Sequence, residues 1–387
     1  MRALVLSGGG SKGAYQIGVW KALKKLHIKF DIVTGTSSGA INGALITQNT
    51  YFRALRVWKS LNYKNIFGDE FNNTSDINKL YKTFAKNFIS DGGTEVNELH
   101  ELINKNLVKW KFYNSKINYG LVTFNLTNRK PIELVKKDIP KDKLGEYILA
   151  SASCFPAFKK MEIDGKDYID GGYYDNVPIN LAIKMGADEA IVVDLGSVGL
   201  KRRTIKKIKQ ITIKPNNNLS NFLVFDAKGA KKNIIYGYND TMKVFNKLDG
   251  RKYTFKLNEL DKFQEVFIEH YKNIIEKIFT STVQLEKYKN LVKIETKSKI
   301  KKDIMNMIIE DIGYKYQMDD TRIYTYDSFT RRLKYKVLKD INKDNDNSII
   351  NFYNLLKEEN YTKLKKESVL KPFDLLRAIF IYIIMEI

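Results

Sequence analysis

Two short apolar segments near the start of the chain each run into a glycine-rich turn and then into a helical pattern. RALVL is followed by the loop SGGGSKG (residues 7–13), and FDIV is followed by GTSSG (residues 35–39). Short apolar strands that alternate with helices are typical of a largely parallel sheet covered by helices. The alternation continues through INYGLVTFNL and EAIVVDLG to about residue 200. The sequence therefore predicts an α/β fold for this part.

The pattern changes in the second half of the chain of 387 residues, where helical periodicity replaces the alternation. Apolar residues recur there at steps of three and four, as in one amphipathic helix; they are Leu260, Phe263, Phe267, Tyr271, Ile274 and Ile278. A hydrophobic fraction of 43% suffices for real cores and argues against global disorder. We expect a first domain at 1–250 and a mainly helical, basic region of unassigned role at 251–387.

The net charge of +22 is unevenly spread. Residues 1–200 carry +7 and residues 201–387 carry +15, with fourteen Lys and Arg against three Asp between 201 and 252. One interpretation is a lysine-rich composition that merely solvates the surface. Another is a basic face for anionic lipid headgroups, where each Lys or Arg contributes ~1 kcal/mol. Nucleic acid is not expected, because no arginine-rich arm, zinc-finger spacing or RNA-binding motif is present.

The remaining global features favour a cytoplasmic protein. A single cysteine, Cys154, excludes an intramolecular disulfide and fits a reducing compartment. The first residues have too short an apolar run for a signal peptide, and no window has the ~18–20 apolar residues of a membrane span. The apolar end FDLLRAIFIYIIMEI (373–387) is either a buried closing helix or an interfacial anchor, so peripheral membrane contact stays open.

The second glycine-rich turn, GTSSG, matches G-x-S-x-G directly after a strand and directly before a small-residue helix. This context is that of a nucleophile elbow, a strained turn that exposes a serine Oγ. Gly35 and Gly39 leave room for the turn, and the positive end of the following helix favours an alkoxide at Ser37. Ser37 is thus the candidate nucleophile; an ordinary Gly/Ser turn is the alternative.

The first glycine loop fits two different anions. Gly8, Gly10 and Gly13 match G-x-G-x-x-G, which can hold a dinucleotide pyrophosphate, but the same N–H groups could hold the oxyanion of ester cleavage. A dinucleotide site needs an acidic residue at the far end of the second strand. Asp31 lies at the near end, and GTSSG occupies the far end. This placement disfavours a nucleotide-binding module.

A serine nucleophile needs a base, and the three histidines do not supply one. His27, His100 and His270 lie on or beside helices, and none follows a strand in a loop. A carboxylate is the other option: Asp170 ends a short strand and precedes two glycines. A buried carboxylate near a serine can take its proton. A second D-G-G at Asp91 lies in an Asn-rich segment before a helix for which Thr94 is the expected N-cap, so we expect Asp170 to be the base.

The ordered motifs GGGSKG, GTSSG and DGG resemble those of the patatin-like phospholipases, and the flanks ASASCFPAF and DNVPINLAIKMGADEAIVVD are also similar to that family. The resemblance covers roughly residues 1–200. It implies a three-layer α/β/α fold and a lipid acyl hydrolase with a Ser37–Asp170 dyad that needs neither metal nor cofactor. A phospholipid or another fatty-acyl ester is then the substrate.

The resemblance also assigns the first loop to an oxyanion hole, with N–H groups of Gly8 to Gly10 as donors at a helix start near Lys12. The residues of this loop are Gly8, Gly9, Gly10, Ser11, Lys12 and Gly13. A non-catalytic lipid- or protein-binding member of the fold remains the main alternative. The Lys-, Asn- and Ile-rich composition suggests an AT-rich bacterial genome.

Overall fold

A computed structural model describes residues 1–67, 77–219, 221–292, 300–341 and 347–386. The chain divides into two units, Met1–Val244 and Phe245–Ile387. The first unit contains, in chain order, β1 (Arg2–Leu6), α1 (Ala14–Lys25), β2 (Ile32–Thr36), α2 (Ser38–Thr47), α3 (Tyr51–Ser60), α4 (Lys64–Phe67), α5 (Ile77–Asp91), α6 (Asn97–Asn106), α7 (Lys109–Tyr113), β3 (Asn118–Asn125), β4 (Lys130–Val135), α8 (Leu144–Ala152), β5 (Met161–Ile163), β6 (Lys166–Asp170), α9 (Ile179–Lys184), β7 (Glu189–Val193), β8 (Lys209–Ile213) and α10 (Ala227–Val244).

A mostly parallel sheet forms the centre of the first unit. β1 pairs in parallel with both β2 and β7, β2 pairs in parallel with β3, and β7 pairs in parallel with β8. Among the described strands of this sheet, the antiparallel pairs are β3 with β4, β3 with β6, and β5 with β6. Helices flank this mixed sheet, so the predicted α/β fold is confirmed.

The central strands β1, β2 and β7 are buried along almost their whole length, as expected for parallel strands that are covered on both faces. Ala3 and Val5 of β1 pack in a cluster with Ala182 of α9. The alternate residues of the strands face the other way. There, an added Cβ at Gly43 of α2 would touch Val33 of β2.

β2 and β6 share one edge of β3. β4 pairs with β3 over residues 120–125, so it occupies one edge along this whole length. On the other edge, β2 pairs with residues 118–122 and β6 with residues 123–125. The carboxyl end of β2 therefore meets the carboxyl end of β6: Thr36 is level with Val122, and Asp170 is level with Thr123.

The basic stretch after residue 200 contains regular structure that the charge count did not predict. β8 extends the sheet beyond β7, and α10 packs along α1. The two helices approach closely: an added Cβ at Gly18 would lie 1.9 Å from the carbonyl oxygen of Ile234. Part of this stretch is therefore structural.

The second unit is mainly helical. It contains, in chain order, β9 (Leu248–Asp249), β10 (Thr254–Lys256), α11 (Glu259–Ile278), α12 (Thr282–Val292), α13 (Ile300–Lys315), β11 (Ile323–Tyr324), α14 (Tyr326–Ile341), α15 (Ser348–Lys357), α16 (Tyr361–Ser368) and α17 (Pro372–Glu386). The amphipathic pattern of α11 is confirmed, with one difference. Ile275 is buried in the core-facing row, whereas the predicted Ile274 is only partly buried.

The apolar C-terminal segment lies inside the second unit. Ile379, Ile381 and Ile384 of α17 belong to its core, and Phe380 packs against Phe263 and Phe267 of α11. Among the described helices, none pairs the length of a bilayer crossing with the apolar composition that one requires. The burial of α17 favours a closing helix over an interfacial anchor.

We predict that Phe380→Ala lowers the free energy of unfolding of the second unit by about 3–5 kcal/mol, because it leaves a cavity in the core. Phe380 is 2% exposed, whereas Phe373 on the same helix is 45% exposed. Phe373→Ala is therefore the matched control and should cost less than about 1 kcal/mol. Denaturant unfolding monitored by circular dichroism measures both; equal effects would contradict the burial of α17.

Candidate active site

Ser37 stands at a sharp turn between β2 and α2. Its backbone has φ 56° and ψ −129°, a conformation that costs a non-glycine residue on the order of 1–3 kcal/mol. The turn is tight on both sides. A Cβ atom added to Gly35 would lie 2.2 Å from the carbonyl oxygen of Gly39, and a Cβ atom added to Gly39 would lie 2.3 Å from the carbonyl oxygen of Leu6. Only glycines fit these two positions, and they hold Ser37 in a strained conformation at the N-terminus of α2.

Asp170 lies at the carboxyl end of β6, next to Ser37. Its side chain is 5% exposed, its Oδ1 accepts a hydrogen bond from Gly172 N–H at 2.7 Å, and it interacts with the Ser37 hydroxyl. Burial raises the pKa of the Asp170 carboxyl to about 6, against the opposing effect of these two hydrogen bonds. The carboxylate is thus more basic than an ordinary aspartate and lies beside the Ser37 hydroxyl.

The C-terminal end of α8 holds both residues in place. Ser151 Oγ accepts a hydrogen bond from Ser37 N–H at 3.1 Å and donates one to Val122 O at 2.7 Å. Two residues later, Ser153 O accepts from Asp170 N–H at 2.9 Å. These serines belong to the segment ASAS, whose relation to the site the motifs alone did not reveal.

The first glycine loop offers fewer free N–H groups than its sequence suggests. Gly8 N–H donates to Asn176 O, Ser11 N–H to Phe222 O, and Lys12 N–H to Gly9 O. Gly9 and Gly10 line the cavity in front of Ser37. The expected oxyanion donors are the N–H groups of Gly8, Gly9 and Gly10. Because the Gly8 N–H is hydrogen-bonded to the segment after Asp170, Gly9 and Gly10 remain as the candidate donors.

The other loop residues have supporting positions. Ser11, Lys12 and Gly13 are outside the cavity lining, and a short 3₁₀ turn (Gly10–Gly13) precedes α1. Ser11 Oγ donates to Asn221 O at 2.9 Å, and Gly13 packs closely against Trp58. These three residues shape the loop without facing the cavity.

A buried network of amides connects the glycine loop to α2. Gln16 Nε2 donates to Ser7 O at 2.8 Å, and Asn42 Nδ2 donates to Gln16 Oε1 at 2.8 Å and to Gly13 O at 2.9 Å. Trp58 Nε1 donates to Asn42 Oδ1 at 2.8 Å. Since a satisfied buried network fixes its members, the loop is held rigidly beside the helix that begins after Ser37.

Ser37 and Asp170 open into a cavity of about 550 Å³ in the first unit. Its wall is mostly apolar; the residues of this wall include Ile41, Leu45, Val57, Trp58, Leu61, Ile66, Leu99, Leu102, Ile103, Leu107, Ile148, Phe158 and Phe225. Ligand pockets of this size and character bury apolar molecules and orient them by a few polar groups. The cavity is suited to an aliphatic chain.

Three buried polar atoms at the cavity lack a hydrogen-bond partner among the described residues: Ser38 Oγ, Asn176 Nδ2 and Ser197 Oγ. Asn176 lies close to the glycine loop, since an added Cβ at Gly8 would be 2.4 Å from its Oδ1. These side chains could not be identified from the sequence, because Asn and Ser near a turn carry no signal of their own.

The rejected candidates lie outside the cavity. None of the three histidines is among its lining residues, and His270 belongs to the second unit, where its Nδ1 contacts Val266 O. Asp91 closes α5 on the surface. Asp31 accepts a hydrogen bond from Arg2 N–H at the amino end of the sheet. Thr94 is not an N-cap: α6 begins at Asn97, and Thr94 forms a bridge to Phe158.

Metal-ligating groups and the single cysteine are two further features that bear on the chemistry of the site. The described residues contain no group of three or more His, Cys, Asp or Glu that could hold a metal ion. Cys154 lines the cavity, but burial and the nearby Asp170 carboxylate raise the pKa of its thiol to about 12, so the thiol stays protonated at neutral pH. Ser37 is therefore the activated nucleophile candidate at this cavity.

The sequence model of the family described as patatin-like phospholipase matches residues 4–183. Residues 4–183 are a patatin-like phospholipase domain. The match covers β1 to α9 and includes both glycine loops, Ser37 and Asp170.

Two curated relatives align with this patatin-like domain. "Lysophospholipase nte1" of Aspergillus terreus is 30% identical over 213 residues, which cover 50% of this chain and 12% of the relative. "Patatin-like phospholipase domain-containing protein 7" of Rattus norvegicus is 31% identical over 198 residues, which cover 50% of this chain and 14% of the relative. The chain thus aligns with about an eighth of the length of these relatives.

Among solved structures, VipD from Legionella pneumophila is similar with a TM-score of 0.41 and 13% sequence identity. The alignment covers 99% of this chain and 91% of VipD.

We predict that Asp170→Asn stabilises the first unit at neutral pH. Between about pH 4 and pH 6, the Asp170 carboxyl is protonated in the folded state but ionised in the unfolded state, because folding raises its pKa. The free energy of unfolding therefore falls as pH rises through this window. The asparagine variant avoids this loss, and its advantage should grow across the window to at most about 3 kcal/mol. Denaturant unfolding at pH 4 and pH 8 measures the difference.

Asp91→Asn is the control for this prediction, because Asp91 is exposed and its charge stays in water in the folded state. Its free energy of unfolding should follow that of the wild type at both pH values. An Asp170→Asn variant that is less stable than the wild type at pH 8 would contradict the burial argument.

Proposed function

We propose that the patatin-like domain is a lipid acyl hydrolase, a serine carboxylic ester hydrolase of the phospholipase A or lysophospholipase type. One observation carries the proposal: a strained serine faces a buried, basic carboxylate at the wall of an apolar cavity of about 550 Å³. The family of residues 4–183 supports the substrate class. Phospholipids and other fatty-acyl esters are the proposed substrates.

The proposed reaction begins with proton transfer from Ser37 Oγ to the Asp170 carboxylate. Ser37 Oγ then attacks the carbonyl carbon of the ester, and the carbonyl oxygen becomes an oxyanion. Asp170 returns the proton to the departing alcohol, which leaves an acyl group on Ser37. Asp170 next takes a proton from a water molecule, which attacks the acyl carbonyl carbon. The bond to Ser37 Oγ then breaks, Asp170 returns the proton to Ser37 Oγ, and the fatty acid leaves.

The N–H groups of Gly9 and Gly10 are the proposed oxyanion donors. They line the cavity beside Ser37, whereas the neighbouring N–H groups of Gly8 and Ser11 are hydrogen-bonded within the protein. The hydrogen bonds that fix the loop limit the reorganisation needed when charge develops on the substrate. Removing one such donor typically costs on the order of 10²–10³ in rate.

The acyl chain is proposed to occupy the apolar part of the cavity. The cavity volume of about 550 Å³ lies within the range of pockets that bury most of the surface of an apolar ligand. The wall excludes water from the bound chain and strengthens the electrostatic interactions near Ser37. Long-chain esters should therefore be preferred over short ones at equal concentration.

We predict that Ser37→Ala lowers kcat/KM for a nitrophenyl ester and for a phospholipid by a factor on the order of 10⁴ or more, because the nucleophile is lost. Asp170→Ala removes the base and should cost on the order of 10²–10⁴. Asp91→Ala changes the other D-G-G sequence and serves as the matched control with wild-type activity. Equal hydrolysis by the wild type and Ser37→Ala would refute the proposal.

We predict that kcat/KM rises tenfold per pH unit at low pH and levels off above an apparent pKa of about 6. Asp170 must be ionised to accept the Ser37 proton, and burial sets its pKa at about that value. Initial rates with a soluble nitrophenyl ester between pH 4.5 and 8, corrected for Ser37→Ala, give the profile. A flat profile over this range would exclude Asp170 as the base.

A further inference from the structure

The loop formed by residues 196–207 lies where the cavity meets solvent. Ser197, Val198, Gly199 and Leu200 all line the cavity. Two of these side chains are nevertheless exposed, Val198 by 94% and Leu200 by 63%. Residues that belong to the cavity wall and to the surface at once mark its opening, and here they are large and aliphatic.

The same loop is strongly basic. Residues 196–207 include five Lys and Arg and no Asp or Glu. Lys201 is paired with Asp194, and the guanidinium of Arg202 stacks on the ring of Tyr174 at 4.4 Å. These two contacts hold Lys201 and Arg202 against the rest of the domain.

The other three cations of the loop are available to a partner. Arg203, Lys206 and Lys207 are exposed, and none has an acidic partner among the described residues. Ile205 lies between them and is 61% exposed. The loop therefore presents aliphatic side chains next to free positive charge.

Hydrogen bonds hold the loop in this arrangement. Leu200 N–H donates to Gly172 O at 2.9 Å, and Leu200 O accepts from Asn176 N–H. Asn180 holds the next part: its Nδ2 donates to Arg203 O and its Oδ1 accepts from Ile205 N–H, both at 2.9 Å. Because the backbone is fixed at four points, the aliphatic side chains stay on the outside.

We propose that residues 196–207 are a docking loop that places the opening of the cavity on an anionic lipid bilayer. The cations Arg203, Lys206 and Lys207 contact anionic headgroups, while Val198, Leu200 and Ile205 enter the interfacial layer. Nucleic acid would satisfy the cations but leave the aliphatic side chains in water. Docking itself requires no reaction. Only the benefit of docking for catalysis rests on the proposed lipid hydrolysis.

The docked state has a consequence for substrate entry. A lipid that leaves the bilayer through the opening passes Val198 and Leu200 and reaches Ser37 without crossing water. Gly172 connects the two places, because its N–H donates to Asp170 Oδ1 and its carbonyl accepts from Leu200 N–H. Gly172 is thus hydrogen-bonded to both the loop and the Asp170 carboxylate.

The test measures vesicle binding of the full chain in a Ser37→Ala background, so that the result does not depend on hydrolysis. The docking variant is Arg203→Glu/Lys206→Glu/Lys207→Glu. The matched control, Lys29→Glu/Lys116→Glu/Lys137→Glu, changes the net charge equally. Its exposed lysines precede β2, precede β3 and follow β4, at the opposite end of the sheet from Ser37.

Sedimentation with vesicles of phosphatidylglycerol and phosphatidylcholine, and with phosphatidylcholine alone, gives the partition coefficients. Each Lys or Arg near an anionic surface contributes ~1 kcal/mol, so the docking variant should bind the anionic vesicles about a hundredfold more weakly than the control. Thermal unfolding midpoints of the two variants should agree with that of Ser37→Ala within a few degrees.

Ile205→Ser tests the aliphatic part of the docking loop. At 0.5 M salt the electrostatic attraction is largely screened, and the remaining binding depends on buried apolar surface. We expect Ile205→Ser to lower this remaining binding about tenfold, since an isoleucine side chain loses its burial.

Three results would overturn the proposal: equal vesicle binding by the docking variant and the control, equal binding of Ser37→Ala to anionic and neutral vesicles, or no effect of Ile205→Ser at high salt. Tighter binding of Ser37→Ala to double-stranded RNA than to anionic vesicles would contradict the choice of lipid as the partner.

Discussion

The arrangement of the site depends on one edge of β3, along which two strands pair in succession. β2 ends at Thr36 and must leave the sheet there, because β6 occupies the next positions of the same edge. The chain can make this exit only through a sharp turn, and Ser37 is the residue that adopts it. β6 arrives from the opposite direction and ends at Asp170. Strand pairing alone thus brings Ser37 and Asp170 together.

The strain and the buried charge at this junction are offset by neighbouring hydrogen bonds. Ser151 occupies the backbone N–H of Ser37, and Gly172 donates to the carboxylate of Asp170. The amide network around Asn42 holds the glycine loop against α2. Each of these contacts is made by a residue that has no part in the chemistry. A substitution that removes one of these contacts should therefore shift Ser37 or Asp170 while the domain stays folded.

Much of this arrangement follows from the sequence. Glycines flanking a serine between a strand and a helix predicted the turn at Ser37, and the D-G-G after a hairpin placed Asp170 at a strand end. The strand inside the basic stretch (β8) was missed, because lysines mask its short apolar alternation. The positions of Ser151, Asn176 and Ser197 at the site could not be predicted either. They depend on contacts between segments far apart in the chain, and serine and asparagine are common at turns for other reasons.

A large part of the cavity wall comes from a segment of the chain that contains neither Ser37 nor Asp170. Residues 51–113 supply the side chains of Leu61, Leu99 and Ile103, while Ser37 and Asp170 lie at strand ends of the sheet. This segment leaves after α2 and returns at β3, which pairs directly with β2, so the sheet does not fix its length or sequence. Mutation can therefore reshape the binding chamber while the geometry of the reaction stays constant. Related domains can therefore come to accept different substrates while they keep the same proposed reaction.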